Sequence, residues 1–206
     1  MTLAYIFFSI VHVICLYLTK GNVPILLMTK ILPIWILFFM LVESPVNTRI
    51  KNYGLFAIAF SSVGDALLEL NGLFVFGLGS FLVAQIFYSI SFSLQGKLHL
   101  IRAIPFYLVS SGIVIFLFPK LAPQLQIPVI IYVFFLTMMA WRASAREVNQ
   151  NSYRLTLIGA CVFLVSDSLI AFTRFAGIQI PEPNFWIMFT YYVAQYLIVK
   201  GIINVS

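Results

Sequence analysis

VGDALL (Val63–Leu68) and VSDSLI (Val165–Ile170) decide how this chain is read. Each lies inside an apolar run, and together they hold both aspartates of the protein, Asp65 and Asp167. They match position by position: V, then G or S, D, then A or S, L, then L or I. A carboxylate in hydrocarbon costs about 2.5–3.5 kcal/mol on insertion scales. A chain with only two aspartates that puts both there is expected to use them.

The surroundings confirm the membrane setting. Of 206 residues, 62% are hydrophobic and 9% charged, and the mean hydropathy is +1.05. Soluble domains average about 25% charged residues. Eight apolar runs can be counted, near 2–18, 23–42, 53–70, 73–95, 101–118, 125–141, 155–173 and 185–203. A membrane helix needs about 20 apolar residues, and backbone polar groups in hydrocarbon must be satisfied within the segment. The expected fold is therefore all-α, a single integral membrane domain of eight transmembrane helices. The first run lacks a basic leader and a small-residue cleavage site, so it reads as a span and not a signal peptide.

With eight spans, Arg49, Lys51, Lys97, Arg102, Arg142, Arg146, Arg154 and Lys200 share the side of the chain termini. Lys20, Lys120 and Arg174 fall on the other side, and Lys30 stays inside the second run. The excess of cations places both termini in the cytoplasm. The net charge of +6 is thus a topology signal, and nucleic acid is not an expected partner. Val83-Ala84-Gln85 in the fourth run returns as Val193-Ala194-Gln195 in the eighth. The chain reads as two halves, 1–98 and 99–206, each ending in an Asp helix followed by a Gln helix. An even number of spans per half makes such repeats parallel.

Counted from Asn52 and Arg154, both aspartates lie 13 residues along their runs, roughly 20 Å at 1.5 Å per residue. They share a layer beyond the midplane, and Lys30 reaches it from the other side. Glu69 is one turn past Asp65, and Tyr191 and Tyr192 precede Gln195 by about one turn. One reading of these groups is polar glue between helices. The other is chemical. Two carboxyls in one low-dielectric layer with a single lysine cannot both stay charged, and one protonated and one ionised carboxyl make an acid and a base in one pocket. That pair suits hydrolysis through an oxocarbenium-like state. No serine or cysteine nucleophile paired with histidine, phosphate-cradling glycine loop or nucleotide fingerprint is present. Cys15 and Cys161 read as buried apolar residues, and His12 and His99 form no metal cluster. Proton-coupled transport or lipid carriage is the rival use of buried aspartates in repeated halves.

The order of these segments resembles the YhhN family of multi-pass membrane proteins, the lysoplasmalogenases. VGDALL, the glycine-dotted helix after it, FLVSDSLIAFTRF, FTYYVAQYLI and MTKILPIW around Lys30 carry the likeness. The family carries a histidine where this chain has Gln85, in a segment ending at Tyr88. The resemblance implies an ether hydrolase acting on lysoplasmalogen, a lysophospholipid, with lysoplasmenyl-ethanolamine or -choline giving a fatty aldehyde and glycerophosphoethanolamine or -choline. It implies no metal and no organic cofactor. Asp65 and Asp167 are then the expected catalytic pair. Lys30, Tyr191, Tyr192, Gln195 and Glu69 are expected to bind substrate, with the phosphate toward Lys30 or a loop cation. The bilayer is the expected environment, a bacterial inner membrane in preference to the endoplasmic reticulum. Nothing in the sequence specifies an oligomeric state.

Overall fold

The structure is a computed structural model that describes residues 1–19 and 21–205. Lys20, assigned above to the side away from the termini, lies outside them. Eight α-helices follow in order: α1 (Thr2–Leu18), α2 (Val23–Val42), α3 (Thr48–Glu69), α4 (Phe74–Ser93), α5 (Ala103–Leu117), α6 (Pro123–Ser144), α7 (Gln150–Phe175) and α8 (Pro183–Ile203). Short 3-10 turns, Leu100–Arg102 and Phe118–Lys120, flank α5.

The two aspartate helices start about five residues earlier than their apolar runs. The cause is capping. Asn47 accepts the Arg49 amide at 3.0 Å and Asn149 accepts the Ser152 amide at 2.9 Å. Each satisfies one orphan donor and starts a helix inside a polar segment. Pro123 and Pro183 open α6 and α8, where the missing N–H costs nothing. Asp65 and Asp167 each follow the first residue of their helix, Thr48 and Gln150, by 17 positions. The two carboxylates thus stand at the same position along their helices.

Six helices are long and apolar enough to cross a membrane: α2, α4, α5 with its flanking turns, α6, α7 and α8. The chain is a multi-pass membrane protein. Apolar α1 is only 17 residues long. The helix α3 has ample length at 22 residues, but Arg49, Lys51, Asp65 and Glu69 make it too polar for the same class. The residues that mark the site are the ones that weaken its signature as a span.

In the bundle α3 packs mainly on α4, and α7 on α8; α4 also meets α6, and α2 meets α3. The core is built from fully buried Ile34, Leu37, Leu41, Ile58, Tyr88, Phe92, Met139, Phe163, Ile198 and Ile202. Gly64, next to Asp65, is required by close approach, since a Cβ there would stand 2.6 Å from the Phe81 ring of α4. Helix α5 is the outlier. It touches α6 and, more lightly, α7, and leaves Ile104, Leu108 and Ile115 exposed for lipid.

Arg142 and Arg146 depart from their expected place at the surface, and Arg146 is the more deeply buried. Arg146 is 2% exposed and donates to Gln95 Oε1 at 2.7 Å, to Ser152 Oγ at 3.1 Å and to Thr156. It ties the α4–α5 and α6–α7 connections to the start of α7, at the end of the bundle that holds the termini.

Candidate active site

A cavity of about 580 Å³ opens between α4, α5, α6 and α7 and reaches Lys30 on α2, Asp65 on α3 and Tyr191 on α8. Both aspartates line it. Its walls are otherwise almost wholly apolar. Helix α5 contributes Phe106, Val109, Ser110, Ile113 and Leu117, a stripe at helical spacing. The volume lies within the range of about 300–1,000 Å³ typical of ligand pockets.

Asp65 is 2% exposed and sits among partners. Its Oδ2 accepts the Tyr191 hydroxyl at 2.5 Å, and its Oδ1 is 3.8 Å from the Lys30 ammonium. Lys30 in turn donates to Glu69 Oε1 at 2.7 Å. The lysine is held from its own backbone as well. The Lys30 carbonyl receives the Tyr192 hydroxyl at 3.1 Å. The Tyr192 carbonyl accepts from Tyr5 at 2.7 Å.

Asp167 is half-buried on the cavity wall. Its Oδ2 accepts the hydroxyl of Tyr132 from α6. Among the described residues no cation lies within ion-pair distance of it. The side chain of Gln85 approaches Tyr132 from α4, yet both of its buried amide atoms lack a hydrogen-bond partner.

Of the residues singled out from sequence, Asp65, Asp167, Lys30 and Tyr191 meet at the cavity. Glu69, Tyr192 and Gln195 stand behind it. Glu69 pairs with Lys30, Tyr192 fixes the Lys30 backbone, and Gln195 accepts Tyr88 at 2.7 Å while its amide nitrogen lies 3.4 Å from the Tyr191 hydroxyl. Tyr132 is the residue that sequence reasoning missed. Its signal was its isolation, the one polar tip in the apolar stretch from Pro128 to Leu136. The internal prolines Pro33 of α2 and Pro128 of α6 leave both helices unbroken.

The arrangement can present an acid and a base to a long apolar molecule. One carboxyl has a cation to hold its charge, and the other has only a hydroxyl.

The sequence pattern of the YhhN family matches residues 26–202. Lysoplasmalogenase TMEM86A of Homo sapiens is 34% identical over 184 residues, covering 82% of this chain and 74% of that protein. Its Bos taurus counterpart is 33% identical with the same coverage. A protein of Mycobacterium tuberculosis named lysoplasmalogenase is 28% identical over 157 residues, covering 70% of this chain and 58% of its own. No solved structure matches the chain.

Proposed function

The chain belongs to the YhhN family, and from that premise we infer that it is a lysoplasmalogenase, a hydrolase cleaving the vinyl-ether bond of lysoplasmalogen. The observation that carries the reading to this chain's own residues is the pair Asp65 and Asp167 on one apolar cavity. The cavity suits an alkenyl chain, and the carboxyls suit acid–base cleavage of an enol ether.

Charge assigns the roles. Lys30 is the one cation of the cluster, and it neighbours Asp65 and Glu69. A second uncompensated anion at Asp167 is the costliest choice in hydrocarbon, so Asp167 carries the proton. Asp167 gives that proton to the outer alkene carbon of the substrate. The electron pair of the ether oxygen closes to an oxocarbenium ion. Water adds to the cationic carbon as Asp65 takes its proton. The product is a hemiacetal, with Asp65 protonated and Asp167 ionised. Asp167 then removes the hemiacetal hydroxyl proton, Asp65 protonates the departing glyceryl oxygen, and aldehyde and glycerophosphoethanolamine or -choline separate. Both carboxyls return to their starting states. Tyr132 and Tyr191 hold the two carboxyls in place through the cycle.

The same reading includes eight spans with both termini cytoplasmic, two related four-helix halves, and residence in a bacterial inner membrane. It is tested by aldehyde release. Purified protein is given lysoplasmenyl-ethanolamine, and fatty aldehyde is followed with a coupled dehydrogenase, beside folded Asp65→Asn and Asp167→Asn. Aldehyde from wild type and its loss in both variants are expected. Full turnover in either variant overturns the assignment.

A further inference from the structure

We propose that Lys120 and Arg174 grip the phosphodiester of the substrate headgroup at the mouth of the cavity, on the face of the bundle opposite the chain termini. The proposal rests on the lysoplasmalogenase reading and gives that substrate its orientation.

Lys30 is poorly placed for the task. Its ammonium is 2.7 Å from Glu69 and 3.8 Å from Asp65, and a phosphate beside it would join two carboxyls. The anion is better met at the end of the cavity lined by Phe74, Leu117, Phe172 and Phe175. Two cations crown that end. The Lys120 ammonium lies 3.6 Å from the centroid of the Phe116 ring, which meets Phe172 at 6.2 Å. The Arg174 guanidinium lies 4.0 Å from the centroid of the Phe74 ring, which meets Phe175 at 5.8 Å. Each cation is therefore stacked on an aromatic pair that includes a cavity-lining ring. Stacking on a ring face orders the side chain and leaves its N–H edges free for an oxyanion. Among the described residues neither cation is paired with a carboxylate.

The spacing matches the substrate. Arg174 follows Asp167 by seven positions on α7, so both project from one face, about 10 Å apart along the axis. In a lysoplasmalogen six covalent bonds separate the ether-linked alkenyl carbon from phosphorus, roughly 7–8 Å when extended. A vinyl ether at Asp167 thus puts its phosphate within reach of the Arg174 fork. The alkenyl chain continues the other way, past Leu164, Leu136 and Phe106. That is the orientation of a lipid in the leaflet on the Lys120 and Arg174 side, and the sparsely packed α5 is the wall it passes.

The test separates phosphate recognition from general binding. In phospholipid-free detergent, turnover of lysoplasmenyl-ethanolamine is measured with two competing ethers that resist hydrolysis. One, 1-O-alkyl-lysophosphatidylethanolamine, carries the phosphate; the other, 1-O-alkylglycerol, lacks it. Wild type is expected to bind the phosphate-bearing ether more tightly. In Lys120→Gln/Arg174→Gln the KM rises by at least about tenfold, in line with the loss of charge-assisted hydrogen bonds, and kcat falls less. The preference for the phosphate-bearing ether disappears. Lys97→Gln, a matched charge removal on the opposite face, leaves the preference intact. An unchanged KM, or an equal loss of affinity for both ethers, overturns the site. If wild type releases no aldehyde at all, the proposed function fails instead, and calorimetric binding of the two ethers to wild type and double variant still decides this site.

Discussion

Asp65 and Asp167 hold the same place in two helices and live in different electrostatic surroundings. Each follows its helix start by 17 positions, each is preceded by a small residue that lets a neighbouring helix close in, and each accepts a tyrosine hydroxyl from another helix. Gly64 admits Phe81 of α4, and Ser166 donates to the Ile187 carbonyl of α8 at 3.1 Å. The difference is Lys30, which serves Asp65 and Glu69, while among the described residues no cation pairs with Asp167. Matching backbone positions are thus given unequal charge partners by one residue from α2. Acid–base catalysis needs that inequality, because two equivalent carboxyls would not divide into donor and acceptor.

The comparison breaks first on turnover. General acid–base groups contribute about 10²–10⁴-fold. Asp167→Asn removes the proposed proton donor to carbon and is expected to fall near the upper end, about 10⁴-fold in kcat. Asp65→Asn leaves an oxocarbenium ion that unassisted water still captures, and is expected near the lower end, about 10²-fold. Equal losses, or the reverse order, would exchange the roles. Lys30→Met sharpens the same contrast through stability. It strands Asp65 and Glu69 together, and removing one partner of a buried pair costs about 3–5 kcal/mol. A thermal melt in detergent should show a large drop for Lys30→Met and recovery of much of it in Lys30→Met/Glu69→Leu. Asp167→Asn, which breaks no ion pair, should melt close to wild type.

The fold was legible because its signal is one of composition and period. Eight apolar runs became eight helices, and the missed starts at Thr48 and Gln150 are set by two asparagine caps inside polar segments, where hydropathy says nothing. Asp65, Asp167 and Lys30 were legible because a charge in an apolar run stands out. Tyr132 was not, since a tyrosine in such a run is ordinary until a carboxylate on another helix is found against it. The division between cavity wall and backing was also invisible. Tyr191 and Tyr192 are adjacent in sequence and project to different neighbours, one to Asp65 and the other to the Lys30 carbonyl. Arg146 reads as a loop cation and is instead a buried clamp, because its partners are amide, backbone and hydroxyl oxygens that no charge count registers.

The two tyrosines test whether that legibility gap matters. A hydrogen bond to a charged group is worth about 1.5–3 kcal/mol, and one of the two carboxyls is charged at each stage of the proposed cycle. Tyr132→Phe removes the one side-chain hydrogen bond Asp167 has among the described residues, and about a tenfold loss in kcat is expected. Tyr191→Phe leaves Asp65 with Lys30 and should cost less, about threefold. A larger loss in Tyr191→Phe would mean that the lysine does not carry the distinction between the sites.

The smallest expected effect concerns Gln85. Its amide is fully buried beside Tyr132 with neither atom hydrogen-bonded, while Gln195 of α8 is tied to Tyr88 and lies by Tyr191. An unpaired buried polar group costs about 1–3 kcal/mol, so Gln85→Leu should hold or raise the melting temperature. Turnover should stay within about threefold, since the Tyr132 hydroxyl keeps its bond to Asp167. The matched Gln195→Leu strips Tyr88 of its acceptor and should lower the melting temperature. If Gln85→Leu instead abolished turnover in a folded protein, the Asp167 side would hold a second functional group, and the contrast between a crowded Asp65 and a solitary Asp167 would have to be withdrawn.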